Sequence, residues 1–571
     1  MKPARRLPTL TLFLLMLLPA LTPARAENAD VLVVGGAIIT VDPQEPEAEA
    51  MLIRNGRIIA VGARTELERA YPNARRHDLH GRTVMPGVID SHAHSYQLGQ
   101  DRRKAVLNGT RTVDEMVARL KAFYPHPAPG EWLVGAGWDE GMWASLGYPD
   151  RAALDKAFPH NPVRLESLHG FAGFYNASAL EVAGINAATP NPTVGQILRR
   201  PDGKPTGVLL TLAQQLVNAR VPGETLAEMK KNIITGLTAL AQVGVTSVHE
   251  AGIPRERVAA FRELATAGRL PIRVYGMLDG NDAELMKEWF ARGPLIDPQA
   301  WLTIRAVKIY YDGSLGSRTA LLAQPYADQP EAANMTERIA PALVASLAAR
   351  ALTHGFQLAT HAIGDEANNR ILNIYGTALA AHPTTDHRWR IEHAQVVLPD
   401  YYARAATLGV ISSMQSSHAV GDSKWAEERL GPTRIKYAYA WRRVLDAGGH
   451  LLINSDLPGE PWEPMQTLYF AVTRKPLAGG TAVGWYADRA LSVDEAISAM
   501  TLAGAYAAFQ EQQLGSLTPG KFADFIELDR DPRKLPPDDL KSIRVLRTWI
   551  AGKIVTHSAA CCSSGAISHG T

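Results

Sequence analysis

Eight times along this chain a short apolar run stops at a polar, potentially reactive residue, and that recurrence restricts the fold more than any other feature. Val84–Ile89 runs into Asp90-Ser91-His92-Ala93-His94, Val245–Val248 into His249-Glu250, Ile272–Leu278 into Asp279, and Ile304–Tyr311 into Asp312-Gly313. Gln357–Thr360 leads to His361, Trp389–Ile391 to Glu392-His393, Val410–Met414 to Gln415, and Leu451–Ser455 to Asp456. Stretches between them, such as Leu226–Gln242, Ala342–His354, Glu366–Ala380 and Leu398–Leu408, are rich in Ala and Leu and long enough for helices. Strands alternating with helices build a parallel sheet. Eight such units predict a TIM-like α/β fold, the (β/α)8 barrel, whose site lies at the C-terminal ends of the strands.

The chain ends read differently. Asp30–Gly36, Ala37–Val41, Ala50–Asn55 and Arg57–Val61 are β-rich, and Asn55-Gly56 is a strong hairpin signal. Ala523–Leu528 and Leu546–Val555 are similar. Segments 27–84 and 512–557 are therefore expected to form one small, discontinuous β-sandwich domain around a barrel of residues 85–511. Residues 96–222 do not fit the barrel count and carry strands of their own, Trp132–Gly137 and Val163–Leu168. They read as an insertion placed to cover the barrel mouth.

With 571 residues and 46% of them apolar, the chain can bury a large core plus a satellite domain. Its 59 basic residues nearly balance 57 acidic ones, and no basic block is interleaved with aromatics, so nucleic acid is not expected as a partner. A small-molecule substrate is expected instead, with self-association left open. Met1–Arg6 is basic, Thr9–Leu21 is nearly all apolar and Ala24-Arg25-Ala26 has small-x-small form, so residues 1–26 read as a signal peptide. Export is the expectation, to a bacterial periplasm or beyond, with a retained N-terminal anchor as the competing reading. No later run approaches the roughly 20 apolar residues of a membrane span. The only cysteines, Cys561 and Cys562, are adjacent in a Ser/Gly/Ala-rich tail, 558–571, that reads as disordered and cannot cross-link the fold.

His92 and His94, one residue apart at a strand end, share a face and can converge on one cation. Alone the pair is a weak signal; it gains weight because His361 and His393 end later strands. Asp456 closes the last strand, where a buried acid needs a partner and a metal would supply one. Lys308 lies within Arg305-Ala306-Val307-Lys308-Ile309-Tyr310, and a lysine facing a barrel core is costly unless paired or chemically changed. Either it forms a salt bridge to an acid such as Asp312 or Glu250, or carbon dioxide converts it to a carbamate able to bridge two cations.

The order His-x-His, Lys, His, His, Asp at strands one, four, five, six and eight resembles the binuclear amidohydrolase superfamily. Val307-Lys308 followed by Asp312-Gly313-Ser314-Leu315-Gly316-Ser317-Arg318-Thr319-Ala320, with His361-Ala362-Ile363-Gly364-Asp365 and Ile391-Glu392-His393-Ala394, is similar to its amidohydrolase-3 branch, which includes N-substituted formamide deformylases. Asn454, where the branch commonly has glycine, and Leu209-Leu210-Thr211 depart from the pattern. The resemblance implies two divalent ions, zinc favoured, bridged by carboxylated Lys308. His92, His94 and Asp456 would hold one ion, His361 and His393 the other. Asp456 would carry a proton from the attacking water to the leaving amine of an amide or formamide. The same barrel also supports ester or lactone hydrolysis, deamination and decarboxylation, and a non-catalytic exported binding protein is a distant alternative. Candidates to touch substrate are Trp138, Asp139, His169, Asp312, Ser314, Arg318, Gln415 and His418, with His249 beside them. The glycines near Ser314 lack the Lys-Ser/Thr ending of a phosphate loop, and no Gly-x-Ser-x-Gly elbow is present.

Overall fold

A computed structural model describes residues 30–139, 148–167, 170–192, 195–331, 336–384 and 386–557. The expected signal peptide, the tail with Cys561 and Cys562, and His169 lie outside the described residues. Among the described residues no helix is long and apolar enough to cross a membrane.

Eight parallel strands follow one another in chain order: Val88–Ala93, Val245–Ile253, Arg273–Asp279, Leu302–Tyr310, Gln357–Ala362, Arg390–His393, Ile411–Gln415 and His450–Asn454. Most are buried along their whole length, as strands must be when helices cover one side and a filled barrel the other. Helices such as Leu226–Gln242, Pro341–His354 and Asp365–Ala381 form the outer layer. The first of these starts at a capping box, with Thr225 and Glu228 each satisfying the other's backbone N–H. Last strand meets first through two backbone bonds: Asp456 N–H donates to His92 O (2.9 Å) and His94 N–H to Leu457 O (3.1 Å). This contact sets Asp456 beside both histidines.

The apolar run Val84–Ile89 is divided between two sheets, which its composition did not reveal. Thr83–Pro86 pairs with Ala37–Ile39 and Phe525–Leu528 in the satellite domain, and the barrel strand begins only at Val88. The break falls where Pro86 lacks an N–H and Gly87 lies against Thr246, so close that a Cβ would come within 2.1 Å of Thr246 Oγ1. The satellite domain has a four-stranded and a six-stranded sheet, the second mixing strands from both chain ends. Its core includes Val33, Ile38, Met51, Val84, Phe525 and Trp549. Arg273, at the base of the barrel, makes a buried two-pronged salt bridge to Asp524 of the satellite domain (2.6 and 3.0 Å).

The segment between the first two barrel strands builds a further six-stranded sheet, from Ala105–Val106, Leu133–Trp138, Val163–Ser167, Ala172–Tyr175, Gln196–Arg199 and Pro205–Leu210. It has its own core of Leu107, Leu133, Trp138, Leu165 and Phe174.

Candidate metal centre

His92 is the fifth residue of the first strand and is fully buried; His94 precedes the helix Ser95–Asp101. Their Nε2 atoms approach Asp456 Oδ1 at 3.5 and 3.4 Å. His393 joins them, so that ligand atoms of His92, His393 and Asp456 all lie within 4.8 Å of one another. The His361 ring is 4.4 Å from that of His393, centroid to centroid.

Two of these positions depend on unusual backbone. Along Arg390–His393, alternation turns Arg390 and Glu392 into the barrel and would turn His393 away. A left-handed conformation at His393 (φ 76°) and Ala394 (φ 42°) breaks the alternation. Asp456 is also left-handed (φ 53°). Such conformations cost on the order of 1–3 kcal/mol and persist where surrounding contacts impose them.

Lys308 is fully buried, with Nζ 3.2 Å from His92 Nε2 and 4.4 Å from the centre of the Tyr310 ring. Neither acid considered from the sequence pairs with it. Asp312 instead accepts the backbone N–H groups of Leu321, Ile363 and Gly364, and Glu250 accepts from Ser95 and Tyr96. Burial pulls the Lys308 ammonium down to about 8.

Burial, assisted by Lys308, lowers His92 to about 4 and His361 to about 3. Burial also holds His393 well below the ordinary imidazole value. All three are neutral at pH 7, the state in which an imidazole has a lone pair for a cation. Burial opposes ionisation of Asp456, but the surrounding histidines outweigh it and hold its carboxyl well below the usual range. Each ring is also fastened from behind. His92 Nδ1 meets Glu392 Oε2 (2.5 Å), His393 Nδ1 meets Gln415 Oε1 (2.8 Å), and His361 Nε2 meets Gly313 O (3.1 Å).

A cavity of about 350 Å³ opens over these groups, lined by His92, His94, Lys308, His361, His393 and Asp456 together with Ser314 and His418. His418 stacks on His393, its Nε2 3.7 Å from Asp456 Oδ2. The other described substrate candidates are not among the residues lining that cavity. Trp138 is buried in the inserted sheet, its indole N–H donating to Leu165 O (3.2 Å), and Asp139 follows it at the strand end. Arg318 pairs with Asp328 (2.6 Å), Asp312 anchors three backbone N–H groups, and Gln415 stands behind His393. His249 is buried against Tyr275 and accepts from Arg390 Nη1 (2.9 Å). Sequence reasoning gave no role to Glu392, although it adjoins His393, or to Tyr310, Gln395, Asp422 and Glu460, which line the cavity from scattered positions with no spacing to reveal them.

A TIM-like barrel with imidazoles and a carboxylate gathered at its C-terminal mouth is the arrangement of a metal-dependent hydrolase. Compared with known proteins, residues 76–556 match the amidohydrolase family, and the chain belongs to that family. It is 32% identical to Protein LONG AFTER FAR-RED 3 of Arabidopsis thaliana, over 94% of this chain and 93% of that one. It is 29% identical to an N-substituted formamide deformylase of Arthrobacter pascens, over 92% and 97% of the two chains. The crystal structure of a metal-dependent hydrolase from Pyrococcus horikoshii superposes with a TM-score of 0.74 at 26% identity, covering 89% of this chain and 99% of the other.

Proposed function

We propose that the protein hydrolyses a carbon–nitrogen bond, an amide or formamide, at a pair of divalent cations bridged by carboxylated Lys308. The observation that carries this reading is the convergence of His92, His393 and Asp456 within 4.8 Å, beside a buried lysine with no salt-bridge partner among the described residues. The donor set fits divalent cations: neutral imidazoles, an ionised carboxylate, and a lysine whose lowered pKa supplies the free amine that adds to carbon dioxide, releasing one proton. Imidazole with carboxylate favours zinc. Kinship with a formamide deformylase supports the choice of bond.

Bound there, such ions would acidify a water, from about 15.7 to about 7, and polarise the scissile carbonyl. His92, His94 and Asp456 would hold one ion, and His361 with His393 the other. Asp456, kept ionised by its histidines, accepts the proton of the attacking water and returns it to the leaving nitrogen, which would otherwise depart as an unstable anion. His418 and Ser314 line the same chamber.

Elemental analysis of the purified protein, followed by assays on formamides, amides, esters and lactones, tests the reading. Two ions per chain and a preference for formamides or amides are expected. Undiminished turnover in metal-free protein overturns the metal centre, and a preference for esters overturns the choice of bond.

A further inference from the structure

We propose that Asn454 joins His92 and His393 into one buried hydrogen-bonded relay that fixes both rings as Nδ1–H tautomers before any cation arrives. The inference rests on the metal-centre reading above; Arg390, Glu392, Ser413, Gln415 and Asn454, which link the two histidines, would not hold the metal themselves.

The relay can be followed atom by atom. His92 Nδ1 donates to Glu392 Oε2 (2.5 Å), which also accepts from Arg390 Nη2 (3.0 Å). The same Nη2, whose shortest bond goes to Ser91 O (2.6 Å), shares its other hydrogen between Glu392 and Ser413 Oγ (3.1 Å), and Asn454 Nδ2 donates to that hydroxyl from the other side (2.9 Å). Asn454 Oδ1 accepts from Gln415 Nε2 (2.7 Å), and Gln415 Oε1 accepts from His393 Nδ1 (2.8 Å). Every member is buried, Arg390, Glu392 and Ser413 completely.

Its polarity is set at both ends. At one end the Glu392 carboxylate is paired through Oε1 with Arg390 Nε (2.7 Å) and can only accept. At the other, Gln415 Nε2 also faces the backbone carbonyl of Ser413 (3.5 Å), which fixes the nitrogen there and turns Oε1 toward His393. Asn454 must then present Oδ1 to Gln415 and Nδ2 to Ser413 and to Ser91 Oγ (3.3 Å). Both rings consequently carry their lone pairs on Nε2, in set orientations; that of His92 faces Lys308 Nζ (3.2 Å). Outer partners of ligating histidines are typically worth 10–100-fold in metal affinity. Here one asparagine makes two such partners interdependent. Asn454 is in these terms a positioning residue.

The test uses full-length protein and two readouts. In the metal-free state, NMR of ¹⁵N-histidine-labelled protein should show His92 and His393 both as Nδ1–H tautomers; His393 protonated on Nε2 overturns the proposal, whether or not the protein takes up metal. Zinc affinity is then measured by competition with a chromophoric chelator for Glu392→Gln, Gln415→Ala and the double variant. In the wild-type background the double variant should depart from the product of the single effects by about threefold or more. With Asn454→Ala added, the effects should simply multiply. Simple multiplication in both backgrounds, or an equal departure in both, overturns the relay. Should Asn454→Ala fail to fold, Ser413→Ala breaks the adjoining link and takes its place. A wild-type protein that binds no zinc would overturn the metal-centre reading, with the tautomers still judging the relay.

Discussion

The Glu392 carboxylate lies 2.5 Å from His92 Nδ1, reaching across the barrel interior from the sixth strand to the first. It also neutralises Arg390, whose guanidinium is completely buried. Removing one partner of a buried ion pair leaves the other charge uncompensated, which typically costs about 3–5 kcal/mol. Glu392→Ala is accordingly expected to lower the unfolding free energy of metal-free protein by about that amount in urea titrations; a loss under about 1 kcal/mol would show that Arg390 does not depend on it. Because its folded carboxyl is held well below the usual value, this stabilisation is complete at neutral pH and disappears only on acidification below the ordinary carboxylate range.

His361 gives a pH dependence through the opposite balance. Its folded value is about 3, whereas an exposed histidine takes up a proton near 6.5. Between those values the unfolded chain binds more protons, so the folded state loses stability as pH falls. Asp90 and Asp312, both raised by burial to about 6, act with the reverse sign, so a total stability curve would obscure the effect. The difference between wild type and His361→Asn isolates it. Metal-free wild type should lose more stability than the variant between pH 6.5 and pH 4, as read by urea midpoints; parallel curves would show that His361 is not kept neutral.

Much of this architecture is legible in the sequence because a barrel strand carries its function at a fixed place. Runs such as Gln357–Thr360 or Leu451–Ser455 are apolar until the C-terminal end and then expose His361 or Asp456, so strand, direction and candidate ligand are read together. Positions set by backbone exceptions are less legible. Strict alternation would place His393 opposite Glu392, and only the left-handed turn brings both toward His92. Contacts between distant segments are not legible at all. Nothing local to Asn454, Ser413 or Arg390 announces that they touch, nor does anything local to Trp138 announce its packing against Leu165 and Phe174.

The Arg273–Asp524 pair ties barrel to satellite domain through two short bonds, with Arg273 also 4.2 Å from the centre of the Phe522 ring. Asp524 additionally accepts the Ala551 N–H (2.8 Å). Asp524→Ala therefore strands a buried guanidinium and a backbone donor together, and about 3–5 kcal/mol of destabilisation is expected. Arg273→Met with Asp524→Leu, which removes both charges and keeps apolar volume, should recover most of it. Calorimetry of the two variants checks this; equal losses in both would mean that the interface needs the charges themselves.

Asp456→Asn separates binding from proton transfer at the proposed catalytic centre. The amide keeps the shape and one oxygen toward His92 and His94, so the protein should fold and retain metal, although more weakly. It cannot accept a proton, and general acid–base groups typically contribute 10²–10⁴-fold. Turnover of a formamide or amide should fall by about that factor at saturating zinc, with the metal count per chain measured on the same sample. A fall confined to metal occupancy, with normal turnover per occupied site, would make Asp456 a ligand alone. The proton would then have to pass through His418, whose Nε2 lies 3.7 Å from the same carboxylate, and His418→Gln would become the damaging substitution.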